Sequence, residues 1–361
     1  MSTWSNELLI SVRTLARRPG FTLVAIATLR LGIGATVAIF AVINAVLIRP
    51  LPYPEPDRIV LINHHAPGLE FNEMQSSGGT VRLYRDHARM LASIGVTTGG
   101  AANLLGGDRP TRVEVRNVSP EFFDVVRMEP LLGRRFLEAD AEPGAPPVAI
   151  LTHDGWQAHF GGVRDILGRT IELDGTPTEI VGVMPPEFSP IYSKDAIALR
   201  PFYVDPSAFG SFGLTAIARL APGVGLDDAR REAEALQARL LELFPDLPAD
   251  FLEQAGWRVS LTPLRDAMLS AGIPLGGHRD VRTMLWVVFG TVAFVLLIAC
   301  ANVANLFLVR TEGRRRELAV RSALGASHRR LAGSILSETV LLGAAGGAVG
   351  VVLATVGVRL L

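Results

Sequence analysis

The sequence holds one cysteine, one lysine and no excess of charge of either sign. The lone cysteine, Cys300, excludes a disulfide framework and any zinc or iron–sulfur centre built on several cysteines. The lone lysine, Lys194, sits in Tyr192-Ser193-Lys194-Asp195, far from a Gly-Lys-Ser/Thr string. These 361 residues therefore carry no Walker A loop to cradle nucleotide phosphates, and the chain reads as not itself an ATPase or other enzyme. The 35 basic and 35 acidic side chains cancel, which argues against a nucleic-acid partner, whose binding domain would be basic. Charge is also sparse, 19% of residues against about 25% in an ordinary soluble domain.

What fills the gap is apolar, and it is gathered into three runs. The first, residues 21–48, is broken only by Arg30; the second, 283–309, has no charge; the third, 331–361, carries only Glu338 and Arg359. Each approaches or exceeds the ~20 residues that cross a bilayer, so the pattern predicts three transmembrane helices. The first run ends in Arg49-Pro50-Leu51-Pro52 with no small-residue cleavage site, which favours a retained anchor over a signal peptide. Arginines near the runs set orientation. Arg13, Arg17 and Arg18 precede the first, and Arg310, Arg314, Arg315, Arg316, Arg321, Arg329 and Arg330 lie between the second and third. Residues 50–280 instead hold 31 acidic and 21 basic side chains, a net of −10. Both basic flanks are expected in the cytoplasm and the acidic block outside it.

That outer block predicts a mixed α/β domain. Residues 113–118 and 170–174 alternate with period two, and Asp174-Gly175 followed by 178–183 reads as a hairpin. Ser119-Pro120 predicts a capped helix start, and residues 226–243 an amphipathic helix ending before Pro245. Before the first run, Trp4, Leu8, Ser11, Val12 and Leu15 share one helical face, as in a helix lying on the membrane surface or packed on a partner. The organisation expected is an inner helix over 1–20, a span over 21–49, an outer domain over 50–280, a span over 281–309, an inner loop over 310–330 and a third span over 331–361.

Four stretches resemble one family. They are Arg17-Arg18-Pro19-Gly20-Phe21 through Leu31-Gly32-Ile33-Gly34-Ala35 to Arg49-Pro50-Leu51-Pro52; Val118-Ser119-Pro120-Glu121-Phe122-Phe123 with Leu132-Gly133-Arg134; Gly168-Arg169-Thr170-Ile171 with Ile180-Val181-Gly182-Val183-Met184-Pro185-Pro186; and Arg314-Arg315-Arg316-Glu317-Leu318-Ala319-Val320-Arg321-Ser322-Ala323-Leu324-Gly325-Ala326. Together they resemble MacB/FtsX-type ABC transporter permeases, and within them the duplicated orphan (ADOP-like) subfamily, in its N-terminal part. The resemblance implies an α+β membrane protein of a bacterial inner membrane, with three transmembrane helices and a MacB-like periplasmic core domain. It implies a permease subunit that couples ATP hydrolysis on a separate cytoplasmic ABC ATPase subunit to periplasmic conformational change, for export or efflux. The alternative is a non-transporting scaffold that signals to periplasmic envelope enzymes. A second permease half or a homodimer partner, a periplasmic adaptor and membrane lipid complete the implied partners, and no cofactor is implied. The family unit has four spans, so a longer functional protein, or a second polypeptide supplying a helix, is expected.

The same resemblance makes the inner loop an ATPase-coupling helix, with Glu317, Leu318, Arg321, Ala323, Leu324, Gly325 and Ala326 as its contact residues. A plain topology-setting loop is the alternative reading of its arginines. In the third run Gly343, Gly346, Gly347 and Gly350 form two overlapping Gly-x-x-x-Gly pairs, a spacing that lets helices approach closely. Glu338 is an ionisable group within that run, either on a polar path or in an ion pair. Asn302 and Asn305 could bond between helices. His64-His65 and His153 with His159 have poor spacing for a metal, and no catalytic constellation stands out.

Overall fold

In the computed structural model the chain divides into two compact units, Pro50–Ala271 and Met1–Arg49 with Gly272–Leu361. The structure describes residues 19–44, 51–105, 110–193, 195–271, 281–313 and 338–352.

The first unit is built on one sheet. Its strands are β1 (Ile59–Ala66), β2 (Phe71–Met74), β3 (Leu91–Leu105), β4 (Thr111–Val118), β5 (Leu132–Gly133), β6 (Val148–Leu151), β7 (Thr170–Leu173), β8 (Thr176–Val183), β9 (Ala196–Pro201), β10 (Thr215–Leu220) and β11 (Arg258–Pro263). The sheet runs β11-β1-β10-β3-β4-β9-β6-β8-β5, with β2 added to β1 and β7 joining β3 to β8. Only β4 with β9 and β6 with β8 pair in parallel. Strand β10 is buried along its whole length because it lies between β1 and β3 with both faces covered.

One face carries Val60, Ile62, Val96, Ala216 and Ala218 beneath the helices Gly78–His87 and Leu226–Leu236, closed by Trp257. The opposite face carries Ile59, Leu61, Val118, Leu199 and Ile217 beneath Phe122–Val126 and Leu264–Ala271. A Cβ on Gly95 would stand 2.5 Å from the Phe122 Cα, so glycine there is what lets that helix lie on the sheet. A third cluster, around Val115, Ile171, Ile180 and Ile197, is covered by Trp156 on the helix His153–Phe160.

The period-two stretches are strands, and the expected hairpin is β7–β8. It turns at Asp174 and Gly175, both in the left-handed region at φ 54° and 77°, the geometry for which Asp-Gly is suited. The long amphipathic helix starts at Leu226 but tightens into a 3-10 turn at Gln237–Arg239 before ending at Leu243. Ser119 does not cap a helix. Its Oγ accepts from the Val96 amide at 3.1 Å, and the helix begins three residues later, at Phe122.

In the second unit the helix Pro19–Ile43 packs against Val281–Gly313 and Glu338–Val352, sharing a core of Ala25, Leu29, Val303 and Leu342. Here the expectation of three transmembrane helices is corrected. Among the described residues two helices are long and apolar enough to cross a membrane, Thr22–Ile43 and Thr283–Val309. The third run is described as a helix only over Glu338–Val352. At about 1.5 Å per residue its 15 residues extend about 22 Å, short of the ~30 Å hydrocarbon core. Residues 331–337 and 353–361 of that run lie outside the described residues. Residues 19–20 and 310–313 belong to the two long helices, while the rest of the expected inner helix and inner loop lies outside the described residues.

Candidate functional site

The sheet unit receives the chain from the first apolar helix and returns it toward the second, and both passages meet at one corner. Tyr53 opens the unit and Leu264 and Ala267 close it, and all three are buried in the same apolar cluster as Ile59 and Leu61. Strand register enforces this: the first residue of β1, Ile59, pairs with Arg219, and its neighbour Val60 pairs with Pro263, the last residue of β11.

Arg219 organises the corner. Its side chain is fully buried at the end of β10, and it donates from Nε to the Val125 carbonyl at 2.7 Å, and from its terminal nitrogens to the Pro54 carbonyl at 2.9 Å and the Glu55 carbonyl at 3.3 Å. One guanidinium thus ties the incoming chain and the Phe122–Val126 helix to the middle of the sheet. Burial pulls its pKa down to about 10, still far above neutrality, so the cation persists. Its counter-charge is Glu55, whose carboxylate is 3.9 Å away and also meets Arg58 at 2.8 Å and Arg127 at 2.7 Å. The Arg58 hydrogen bond foremost, with Arg127 and Arg219 adding, holds the Glu55 carboxyl below the usual carboxylate range. Glu55 and Arg127 both stand at positive φ, 47° and 52°, where a side chain is strained unless its contacts hold it. Arg58 closes the ring by donating to the Leu220 carbonyl at 2.6 Å, and the Tyr53 hydroxyl donates to the Ser189 carbonyl. None of these residues was singled out from the sequence. An arginine in the otherwise apolar stretch 216–220 was the available signal, since a strand buried on both faces has no solvent for it.

Among the residues expected to act in the other unit, Gly346 and Gly350 lie against the first helix. A Cβ on Gly346 would be 2.9 Å from the Leu29 Cβ, and one on Gly350 would be 3.0 Å from the Gly34 nitrogen. Gly347 reaches only the tip of Ile33, at 3.9 Å, and a Cβ on Gly343 meets nothing within 4 Å. Gly32 makes a matching approach on the other side, where a Cβ would be 3.3 Å from the Leu296 Cα. Glu338 is buried at the first described residue of its helix. Asn302 and Asn305 are on the exposed side of theirs, as is Cys300. Glu317, Leu318, Arg321, Ala323, Leu324, Gly325 and Ala326 lie outside the described residues.

The histidines have structural partners. His64 is buried beside Trp257, with Nε2 2.9 Å from the Tyr84 hydroxyl, which in turn accepts from Gln237 at 3.0 Å. The Gln237 carbonyl accepts from the Trp257 indole at 2.8 Å. Burial foremost, with His65 next to it, lowers the His64 pKa to about 3. His65 faces Ser260 at 3.0 Å. Among the described residues no three His, Cys, Asp or Glu side chains gather as a metal would need.

Comparison with known proteins gives two family matches in chain order. Residues 22–236 match the MacB-like periplasmic core domain, and residues 289–361 match the FtsX-like permease C-terminal region. The pyoverdine export ATP-binding/permease protein PvdT of Pseudomonas syringae pv. tomato is 30% identical over 229 residues, 62% of this chain and 32% of that protein. The macrolide export ATP-binding/permease protein MacB of Azoarcus sp. strain BH72 is 28% identical over 275 residues, 75% of this chain and 39% of that protein. The chain therefore spans between about a third and two fifths of the length of these relatives. Among solved structures, the periplasmic region of MacB from Actinobacillus actinomycetemcomitans aligns at a TM-score of 0.41 and 14% identity, over 60% of this chain and 93% of that one. A domain of a putative permease from Porphyromonas gingivalis aligns at 0.43 and 21% identity, over 58% and 92%.

Proposed function

Because the chain belongs to the MacB/FtsX-type ABC transporter permease family, we propose that it is the permease part of an export system driven by ATP hydrolysis on a separate subunit. Motion of the apolar helices, set by the ATPase, passes through residues 45–58 and 264–280 into the sheet unit. The proposed topology has the N-terminus in the cytoplasm, residues 50–280 in the periplasm and residues 310–330 as the cytoplasmic docking loop. Within that loop Glu317, Leu318, Arg321, Ala323, Leu324, Gly325 and Ala326 contact the ATPase. Gly346 and Gly350 keep their helix close to the first one, while Gly343 and Gly347 are left for a second permease half or a second copy, and Glu338 is an intramembrane polar group on a polar path or in an ion pair. A periplasmic adaptor takes the cargo onward, and the relatives' names, macrolide and pyoverdine exporters, suggest a small-molecule cargo. The duplicated orphan subfamily is the narrower assignment, carried by the residue strings at 17–35 and 314–326.

The observation that most supports coupling is the corner at Arg219. A domain entered and left at one rigid corner moves as a body when its two connections move, which a domain attached at scattered points does not. Co-purification of the full chain from its native membrane tests this reading. An ABC ATPase subunit should accompany the wild-type chain and be lost when residues 317–326 are replaced by a Gly/Ser linker. Retention of the ATPase by the replaced chain, or its absence from both preparations, would refute the docking loop; a cell-wall hydrolase in its place would favour the scaffold alternative.

A further inference from the structure

On the face of the sheet that carries Ile59 and Leu61, the residues turn polar along the strands. Asn63 on β1, Thr215 on β10, Thr97 on β3 and Arg116 on β4 follow the apolar row, and all four are at most 7% exposed. Asn63 is satisfied by Glu73 at 2.6 Å and Thr215 by Gln75 at 3.0 Å. Arg116 is different. It lies across Gly99, the residue opposite it in the β3–β4 register, and its only hydrogen-bond partner among the described residues is the Thr97 hydroxyl, 3.3 Å from Nε and 3.1 Å from a terminal nitrogen. Among the described residues no carboxylate forms an ion pair with it within 4 Å. Glu114, two residues along the same strand, accepts instead from the Ser193 hydroxyl at 2.6 Å.

A guanidinium withdrawn from water with no carboxylate bonded to it, and only the longer-range charge of Glu114 favouring it, is costly by several kcal/mol. The guanidinium also lines an open cleft of about 490 Å3 with Gly99, Gly100, Arg112, Glu114, Tyr192 and Ser193. Tyr192 is held at φ 60°, a backbone conformation that a tyrosine adopts only under constraint, and its hydroxyl has no hydrogen-bond partner among the described residues. Burial, with Glu73 adding, raises its pKa to about 12, so that hydroxyl remains a donor at neutral pH. The cleft thus offers a planar cation and a phenol donor above a glycine floor, with Arg112 and the Glu114 carboxylate also lining it.

We infer that this cleft is a binding site for a small molecule or peptide end bearing a single carboxylate, which pairs with Arg116 and the Tyr192 hydroxyl. Among the lining residues the charges of Arg112 and Glu114 offset each other, so a ligand meets the single net charge of Arg116, and a guanidinium pairs a carboxylate through two parallel hydrogen bonds. The absent side chains at Gly99 and Gly100 leave room for the body of the ligand. The inference goes beyond the coupling reading and does not depend on it: loss of ligand binding leaves ATPase co-purification unchanged.

The test is calorimetric titration of the full chain in detergent with the tripeptide Ala-Ala-Ala, its C-terminally amidated form and inorganic phosphate. The free-carboxylate peptide should bind and the amidated one should bind at least tenfold more weakly. Arg116→Gln should weaken the free peptide by about tenfold or more, the equivalent of one lost charge-assisted bond. Tyr192→Phe and Gly99→Ala keep the site testable if Arg116→Gln fails to fold. The first removes only an oxygen, and the second places a methyl 3.2 Å from a terminal nitrogen of Arg116; each should weaken binding severalfold without lowering the melting temperature. Equal affinity for the amidated peptide, no binding of either peptide, tighter binding of phosphate, or unchanged affinity in a folded Arg116→Gln chain would each overturn the assignment.

Discussion

Single residues in the sheet unit hold ionisable groups where water cannot reach them, and each makes stability respond to its own protonation. His64 is the clearest case. Its folded pKa is about 3 against 6.5 for a free histidine, so between these values the unfolded chain binds a proton that the folded chain does not. The stability linked to His64 is therefore fully present above pH 6.5 and is lost as pH falls toward 3, with a slope of at most about 1.4 kcal/mol per pH unit. Replacing His64 with Phe keeps a ring against Tyr84 and Trp257 but removes the titration. The melting temperature of the wild-type chain should fall more steeply from pH 6.5 to 4 than that of His64→Phe, followed by tryptophan fluorescence. Parallel curves would show that the imidazole is not the group that titrates.

At the scale of elements, close approach between helices is decided by where the glycines point and not by how many there are. Gly346 and Gly350 lie one turn apart against Leu29 and Gly34, while a Cβ at Gly343 would enter open space. Substituting Leu at Gly350 forces backbone against backbone, since the Gly34 nitrogen and the Arg30 carbonyl lie within 3.1 Å of its Cβ position. Overpacking of this kind costs about 1–3 kcal/mol, whereas Gly343→Ala is neutral or gains up to about 1 kcal/mol through helix propensity. Cross-linking between cysteines placed on the first and last of the described helices reads this directly. Gly350→Leu should lower the cross-linked fraction and Gly343→Ala should leave it intact. A loss of equal size in both would mean that the glycines act through flexibility and not through contact.

At the scale of the whole molecule, Arg219 ties the first residues of the sheet unit, Pro54 and Glu55, to β10 and to the Phe122–Val126 helix. Removing its guanidinium strands the Val125, Pro54 and Glu55 carbonyls and leaves Glu55 without its buried partner. Arg219→Met should therefore destabilise the unit by about 2–4 kcal/mol. Arg127→Ala removes only a partly exposed partner of the same Glu55 and should cost less than about 1 kcal/mol. Thermal unfolding of the two variants in detergent separates the cases. Equal shifts in melting temperature would show that the corner is an ordinary surface ion-pair cluster and would remove the main support for rigid coupling.

Much of this was legible before any coordinates. Hydropathy placed the two long apolar helices, because a bilayer sets a length that few other demands on a sequence reproduce. Period two and Asp174-Gly175 placed the β7–β8 hairpin, because a two-residue turn with positive φ admits few residue pairs. The four resembling strings located the family. Tertiary structure decided the rest. The third run is a helix over Glu338–Val352 among the described residues, shorter than the span that its hydropathy predicts. Ser119 looked like a helix cap and became an acceptor for Val96, since a strand 23 residues away offered its hydroxyl an amide. Nothing local in the sequence marks Arg219 or Arg116 as buried; the stacking of β10 between β1 and β3, and the placing of Gly99 opposite Arg116, bury them. Local sequence fixes what a segment can form; the partner brought by chain topology decides whether a charge on it meets water, a carbonyl or a ligand.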